Sequence, residues 1–197
     1  VFLNQAPAQS SSGGRRPIDA SRFFLRQAQK LISLLGLSTP SGSLYEVDIR
    51  LRPDGAKGLL VSSMESFEQY QKQRAWTWEL QALVRARAVA GDPPLCQRFE
   101  RAREALIAVE RDSGPLLDEI SAMRRRMRAE LDRSDDGHYD LKHGRGGLTD
   151  IEFFLQAQIL LHASRVPELA RERETMAVID RLRSAGKRLF LLTNAPV

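Results

Sequence analysis

The stretch Tyr45-Glu46-Val47-Asp48-Ile49-Arg50-Leu51-Arg52-Pro53 alternates without a slip. Tyr45, Val47, Ile49 and Leu51 fall on one side of an extended chain, and Glu46, Asp48, Arg50 and Arg52 on the other. Period-two alternation predicts a strand with one buried face. Same-face residues of a strand lie about 7 Å apart, so the open face carries two carboxylates and then two guanidiniums over roughly 20 Å. A carboxylate beside arginines suits a metal ion holding a polyphosphate, with guanidinium forks on the phosphate oxygens. A solvated face of cross-paired charges is the other reading of the same residues.

Working outward, Pro53-Asp54-Gly55 predicts a turn, because proline presets φ and glycine permits a positive one. Gly58-Leu59-Leu60-Val61 reads as a return strand, so residues 44–62 are expected to form a hairpin. On the other side lies a Ser/Thr/Pro/Gly loop, residues 38–43. It follows a helix that Asp19 caps and Gly36 stops, with Phe24, Ala28, Leu31 and Leu35 on one face. Residues 5–18 hold Pro7, Ser10-Ser11-Ser12, Gly13-Gly14 and Pro17, a flexible loop. Val1-Phe2-Leu3 reads as the end of a buried strand whose beginning is missing.

Downstream, Ser62 with Glu65 matches a capping box for a helix to about Arg74. Trp76-Thr77-Trp78-Glu79 opens another, to about Ala88. Asp92-Pro93 supplies a cap and a first-turn proline. Helical spacing then continues to Leu131, broken at Gly114-Pro115, with Leu116, Ile120, Met123, Met127 and Leu131 as its later buried stripe. Arg124, Arg125, Arg126 and Arg128 lie mostly off that stripe. With no interleaved aromatic they read as a solvated face rather than a nucleic-acid contact. The polar stretch 132–147 contains His138 and His143, which lack metal-ligand spacing and read as loop residues. Thr149 with Glu152 matches a second capping box, for a helix to about Ala163 bearing Ile151, Phe154, Leu155, Gln158 and Leu161 near one face. A last helix covers about 168–185.

The chain has 197 residues, a net charge of +5, a pI near 9.8 and 42% hydrophobic residues. That is the composition of a globular protein with a preference for acidic partners. No apolar run approaches the ~20 residues that span a bilayer, so a membrane protein is excluded. The start does not read as a signal peptide. The single Cys96 excludes an internal disulfide and a cysteine-rich zinc site, so a cytoplasmic location is expected.

Several separated blocks, in order, resemble the glutamine synthetase adenylyltransferase family. They are Tyr45 to Pro53, Gly58-Leu59-Leu60-Val61, Ala75-Trp76-Thr77-Trp78-Glu79, Gln81-Ala82-Leu83-Val84-Arg85-Ala86-Arg87, Gly91-Asp92, Asp140-Leu141-Lys142, and Gly146-Gly147-Leu148-Thr149-Asp150-Ile151-Glu152-Phe153-Phe154. The resemblance covers roughly residues 1–165. The Ala-Trp-Thr-Trp-Glu and Asp-Ile-Glu-Phe runs look like the C-terminal half of that family, which adds AMP to a tyrosine of glutamine synthetase.

The resemblance implies an α+β fold: a partial DNA polymerase β-like nucleotidyltransferase core, residues 1–92, followed by an α-helical bundle domain, residues 93–185. It also implies Mg²⁺, ATP as substrate, and glutamine synthetase and the PII signal protein as partners, with no nucleic acid expected. Asp48 matches the third metal carboxylate of such cores, and Arg50 and Arg52 match the basic pair on the ATP phosphates or departing pyrophosphate. The Gly-Ser and Asp-x-Asp block that precedes these residues in the family is absent, so the chain by itself is expected to be inactive. Residues 186–197 depart from the family. Gly186 to Asn194 resembles the strand ending in Thr-Asn of haloacid-dehalogenase-type phosphatases, and a splice or misread frame accounts for it equally. The alternative reading of the whole is a non-catalytic helical module that docks glutamine synthetase or the PII signal protein.

Overall fold

A computed structural model describes residues 2–3, 15, 17–43, 45–49, 52–55 and 58–187. The chain is α+β, mostly helical with a few two-residue strands, and it divides into two compact units. The first comprises Val1–Ala75 and Gly91–Leu95, the second Trp76–Ala90 and Cys96–Val197. The sequence-based boundary after residue 92 therefore differs from the contact boundary, which assigns residues 76–90 to the second unit.

In the first unit β1 (Phe2–Leu3) pairs in parallel with β4 (Ser62–Ser63), Phe2 opposite Ser62 and Leu3 opposite Ser63. A small antiparallel hairpin joins β2 (Ser38–Thr39) to β3 (Gly42–Ser43), inside the stretch expected to be loop. Helix α1 (Ala20–Leu35) is capped by Asp19, whose Oδ1 accepts from the N–H of Arg22 at 2.9 Å, and it stops at Gly36 as expected. Its inward residues are Phe24, Leu25, Ala28, Ile32 and Leu35, whereas Leu31 stays half exposed. Helix α2 (Met64–Gln73) buries Met64, Phe67 and Tyr70. Its cap is Ser63, one residue later than expected, with Ser63 Oγ accepting from the N–H of Ser66 at 3.1 Å.

The predicted strand over 45–52 is not observed among its described residues. Tyr45 to Ile49 carry no strand assignment, and Tyr45 and Ile49 are 62% and 39% exposed on the face expected to be buried. Alternation makes a strand only where a neighbour completes the backbone ladder. No described strand pairs with 45–49, and β4 pairs with β1 instead. The 44–62 hairpin is likewise not observed among the described residues. The turn itself is present: the N–H of Gly55 donates to Arg52 O at 2.8 Å, with Asp54 at φ +62° and Gly55 at φ +55°. Gly58 closes it from the far side, where a Cβ would sit 1.7 Å from Pro53 O, so no larger residue fits.

The second unit is helical. Helices α3 (Thr77–Arg85), α4 (Pro93–Ile107), α5 (Ser113–Leu131), α6 (Leu148–His162) and α7 (Thr175–Ser184) are joined by short segments, with one 3-10 turn at Pro167–Ala170. Asp92 caps α4 as expected, its Oδ2 accepting from the N–H of Leu95. The break before α5 comes at residues 108–112 rather than at Gly114-Pro115. Asp112 caps α5 through the N–H of Gly114, and Pro115 sits in the first turn, where its missing N–H costs nothing.

Helix α6 is central. It packs on α3, α5, α7 and the 3-10 turn, burying Leu155, Ala157, Ile159 and Leu160. Its buried residues lie on more than one face, which is why a one-sided stripe misjudged it. Its cap also differs from expectation: Gly147 precedes it, and Thr149 is buried within the first turn. The expected strand at residues 186–197 lies outside the described residues beyond Lys187.

Around that core sits a fully buried cation. Arg103 is 0% exposed and donates to Leu83 O at 2.7 Å, Val84 O at 2.6 Å and Ala170 O at 2.8 Å. It thereby holds the last carbonyls of α3 and the end of the 3-10 turn together. Each carbonyl stripped of its donor in the interior costs about 1–3 kcal/mol. Arg103→Met is expected to lower the stability of the chain in a urea titration by at least about 3 kcal/mol. Arg101→Met, on the exposed face of the same helix, is expected to stay within about 0.5 kcal/mol. Equal effects of the two changes would contradict the assignment.

Candidate functional site

Asp48 is exposed, in the segment without strand structure. Arg52 is half-buried and anchors the following turn, its Nε donating to Gly58 O at 3.0 Å and its Nη1 to Ile49 O at 2.7 Å. Arg50 lies outside the described residues. Across the turn Arg74 pairs with Asp54 at 2.5 Å and lies over the Tyr70 ring. The first unit also holds a cleft of about 550 Å³ lined by Asp19, Arg22, Leu25, Asp54, Leu59 and Ser63 among others, and neither Asp48 nor Arg52 lines it. Among the described residues no group of three or more histidine, cysteine, aspartate or glutamate side chains gathers to hold a metal ion. The donor set for a metal pair is thus not present there, and Asp48 contributes one carboxylate only.

The second unit contains two constellations that the sequence did not reveal. The first is an open cleft of about 620 Å³ lined by Arg85, Arg171, Glu172, Arg173, Glu174, Thr175 and Met176. Its arginines are engaged: Arg85 donates to Arg173 O and Thr175 Oγ1, Arg173 to Ala86 O and Glu100, and Arg171 to Glu104.

The second is the approach to α6. Asp150, in its first turn, accepts from Arg124 Nε at 2.5 Å, Arg128 Nη2 at 2.9 Å and the N–H of Gly146 at 2.6 Å. Burial alone would push the Asp150 carboxyl up. The Gly146 N–H and the two guanidiniums outweigh it and hold the group below its ordinary range. Arg124 also donates to His143 O at 2.8 Å, so one buried cation ties the loop, α5 and α6 together. Asp150 therefore plays the structural part expected of a carboxylate at a helix start. Glu152 lies 3.7 Å from Arg85.

Arg125 and Arg126 form the solvated face expected, but Arg124 is buried. The signal was available, since Leu116, Ile120, Arg124 and Arg128 continue a single i, i+4 ridge. A basic residue on an apolar ridge needs an acidic partner, and Asp150 was the candidate. His138 contacts Asp135 and His143 lies 3.4 Å from Thr149 Oγ1, so neither joins a metal set among the described residues.

The loop 138–147 is tightly built. Asp140 accepts the N–H groups of Arg133, Lys142 and His143. Tyr139 Oη donates to Arg145 O at 2.6 Å. A Cβ on Gly144 would meet Asp140 O at 2.5 Å, and one on Gly147 would meet Leu141 O at 2.7 Å. The N–H groups that open α6 are consumed within the chain: Leu148 donates to Leu141 O, Thr149 to Lys142 O, and Asp150 and Ile151 to Gly147 O.

The family model for glutamate-ammonia ligase adenylyltransferase matches residues 1–102, and the model for GlnD PII-uridylyltransferase matches residues 121–194. A bifunctional glutamine synthetase adenylyltransferase/adenylyl-removing enzyme of Xanthomonas axonopodis pv. citri is 54% identical over 92% of this chain and 19% of its own length. Proteins of the same name from Stenotrophomonas maltophilia and Nitrosococcus oceani are 50% and 47% identical over 94% of the chain. The chain belongs to the glutamate-ammonia ligase adenylyltransferase family. It spans about a fifth of the length of the curated relatives it matches. No helix among the described residues is long and apolar enough to cross a membrane.

The depressed Asp150 carboxyl gives a pH prediction. Its folded value lies below its unfolded one, so its stabilisation is complete above about pH 4 and fades as pH falls through the folded value. Asp150→Asn is expected to destabilise the chain at pH 7, and that difference is expected to shrink progressively as pH falls below about 4. A constant gap between the two urea midpoints across that range would contradict the ion pairs.

Proposed function

We propose that this chain serves the transfer of AMP from ATP to a tyrosine of glutamine synthetase, in a half-enzyme that adds AMP, with the PII signal protein as a regulatory partner, in the cytoplasm. The observation that supports it is the 54% identity over 92% of the chain to a protein named for adenylyl transfer to glutamine synthetase. In the step proposed, the tyrosine phenol oxygen bonds to the α-phosphorus of ATP. The bond from that phosphorus to the bridging oxygen breaks, pyrophosphate leaves with the electron pair, and the phenolic proton passes to solvent. In this reading residues 1–92 correspond to part of a nucleotidyltransferase core and 93–185 to a helical domain.

Asp48 would face the reacting phosphates, with Arg50 and Arg52 offsetting charge on the departing pyrophosphate. Mg²⁺ is the ion such chemistry implies. The described residues do not assemble a set to hold it, and no step is assigned to it. The same absence of a gathered carboxylate set favours the second reading, a docking module without chemistry. The two family names whose models match share nucleotidyl transfer and differ in the nucleotide moved and in the protein modified. The loop at 138–147 lies in the span matched by the uridylyltransferase model and within the 92% of the chain aligned with the adenylyltransferase relative, so it is suited to the part the two share.

A hybrid in which this chain replaces the matching fifth of the Xanthomonas axonopodis relative tests the reading. Asp48→Asn in that hybrid is expected to slow AMP transfer by at least ~10²-fold, with circular dichroism checking that the variant folds. Arg52→Ala is expected to slow transfer and also to lower the melting temperature, since Arg52 anchors Gly58. Transfer at the unsubstituted rate by the Asp48 variant would leave the docking module as the better account.

A further inference from the structure

Most cations of the second unit are spent on the fold. Arg103, Arg111, Arg124, Arg128 and Arg173 all donate to backbone carbonyls or to carboxylates. Arg87, Arg101, Arg125, Arg126, Arg133 and Arg183 are exposed with side chains unengaged among the described residues, and so are Lys142 and Arg145. Neither of these last two side chains enters a hydrogen bond or ion pair among the described residues, although their backbones do. What sets these two apart is the backbone that carries them, a loop held by Asp140, Tyr139 and Arg124 and closed by two glycines that admit no side chain.

The neighbouring carboxylates are largely turned inward. Asp132 accepts from the N–H and hydroxyl of Ser134, Asp135 from the N–H groups of Gly137 and His138, and Asp140 from three N–H groups. Each of the three is held below its ordinary range. For Asp132 the first cause is the Ser134 hydroxyl, for Asp135 the Gly137 N–H and for Asp140 the His143 N–H. Asp136 remains as an exposed acid nearby. The α6 N-terminus offers no free N–H to an anion, so any anion bound here meets the two side chains rather than the helix end.

A fixed backbone beneath two unpaired cations lowers the ordering cost of binding. An ammonium and a guanidinium three residues apart suit a chain of phosphates, the ammonium as a point charge and the guanidinium as a fork. The loop lies within the segment matched by the uridylyltransferase model. We infer that Lys142 and Arg145 bind the polyphosphate of a nucleoside triphosphate, without regard to its base. This deepens the nucleotidyl-transfer reading and rests on it. A loop that recognised the modified protein would be expected to differ between enzymes with different protein targets, which is why a protein-docking role is the less favoured assignment.

The probe is inorganic tripolyphosphate, titrated calorimetrically into the 197-residue chain at low salt. The chain is expected to bind it. Lys142→Ala and Arg145→Ala are each expected to weaken binding about tenfold, in the range for losing one charge-assisted hydrogen bond. Arg125→Ala, removing another exposed cation, is expected to change it less than twofold. ATP and UTP should lose affinity equally, and adenosine should not compete. Both loop positions are exposed and unpaired, so the variants are expected to fold, and circular dichroism checks this.

Unchanged tripolyphosphate affinity in the loop variants, an equal loss in the Arg125 variant, or no binding by the unsubstituted chain each overturns the inference. Loss of glutamine synthetase binding with intact tripolyphosphate binding would reassign the loop to protein docking. AMP transfer by the hybrid enzyme is read separately. Transfer without loop-dependent tripolyphosphate binding defeats this inference alone, and loop-dependent binding without transfer defeats the proposed function alone.

Discussion

The helical unit depends on putting a positive charge where no water reaches it. Arg103 has no exposed surface, and its three carbonyl partners belong to two separate elements, the end of α3 and the 3-10 turn. Burial, followed by repulsion from Arg173, pulls its pKa well below the usual arginine value, to about 10, with Glu100 and Glu104 opposing the shift. The group still carries its proton at neutral pH. A guanidinium suits this task because its planar fork reaches several carbonyls at once, which an ammonium cannot do in the same geometry. Val84, Ile107, Leu155, Leu169 and Leu182 then close around the arrangement as one apolar core.

The same device recurs at smaller scale. Arg111 folds back onto Leu106 O, Ile107 O and Val109 O and finishes α4. Arg124 joins Asp150 to the carbonyl of His143. Arg173 links Ala86 O to Glu100. The basic composition that suggested acidic partners is therefore consumed in good part by carbonyls and carboxylates of the chain itself. Lys142 and Arg145 gain meaning against that background, as exposed cations on a loop whose own bonds are complete.

Local chemistry was legible in the sequence, and pairing was not. Asp19, Gly36 and Asp92 cap helices as read, because a cap is decided within three or four residues. The Ser62 and Thr149 capping boxes were misplaced. In each case a neighbouring residue satisfied the same N–H groups: Ser63 at α2, and the carbonyls of Leu141, Lys142 and Gly147 at α6. The alternation at Tyr45–Ile49 could not become a strand without a partner, and partners are set by distant chain. Arg124 was hidden because its partner Asp150 lies 26 residues away, although the ridge through Leu116 and Ile120 pointed to it. Family membership was readable from separated blocks, since several motifs in order are more specific than any one fold signal.

The proposed function rests on relatives about five times longer than this chain, and the proposal assigns Asp48, Arg52 and the basic loop to it. The most direct measurement is mass spectrometry of glutamine synthetase incubated with the hybrid enzyme and ATP labelled at the α-phosphate. The account predicts that the label appears on a tyrosine as AMP and that unlabelled pyrophosphate is released. A hybrid that folds, binds glutamine synthetase and leaves every tyrosine unlabelled would contradict it.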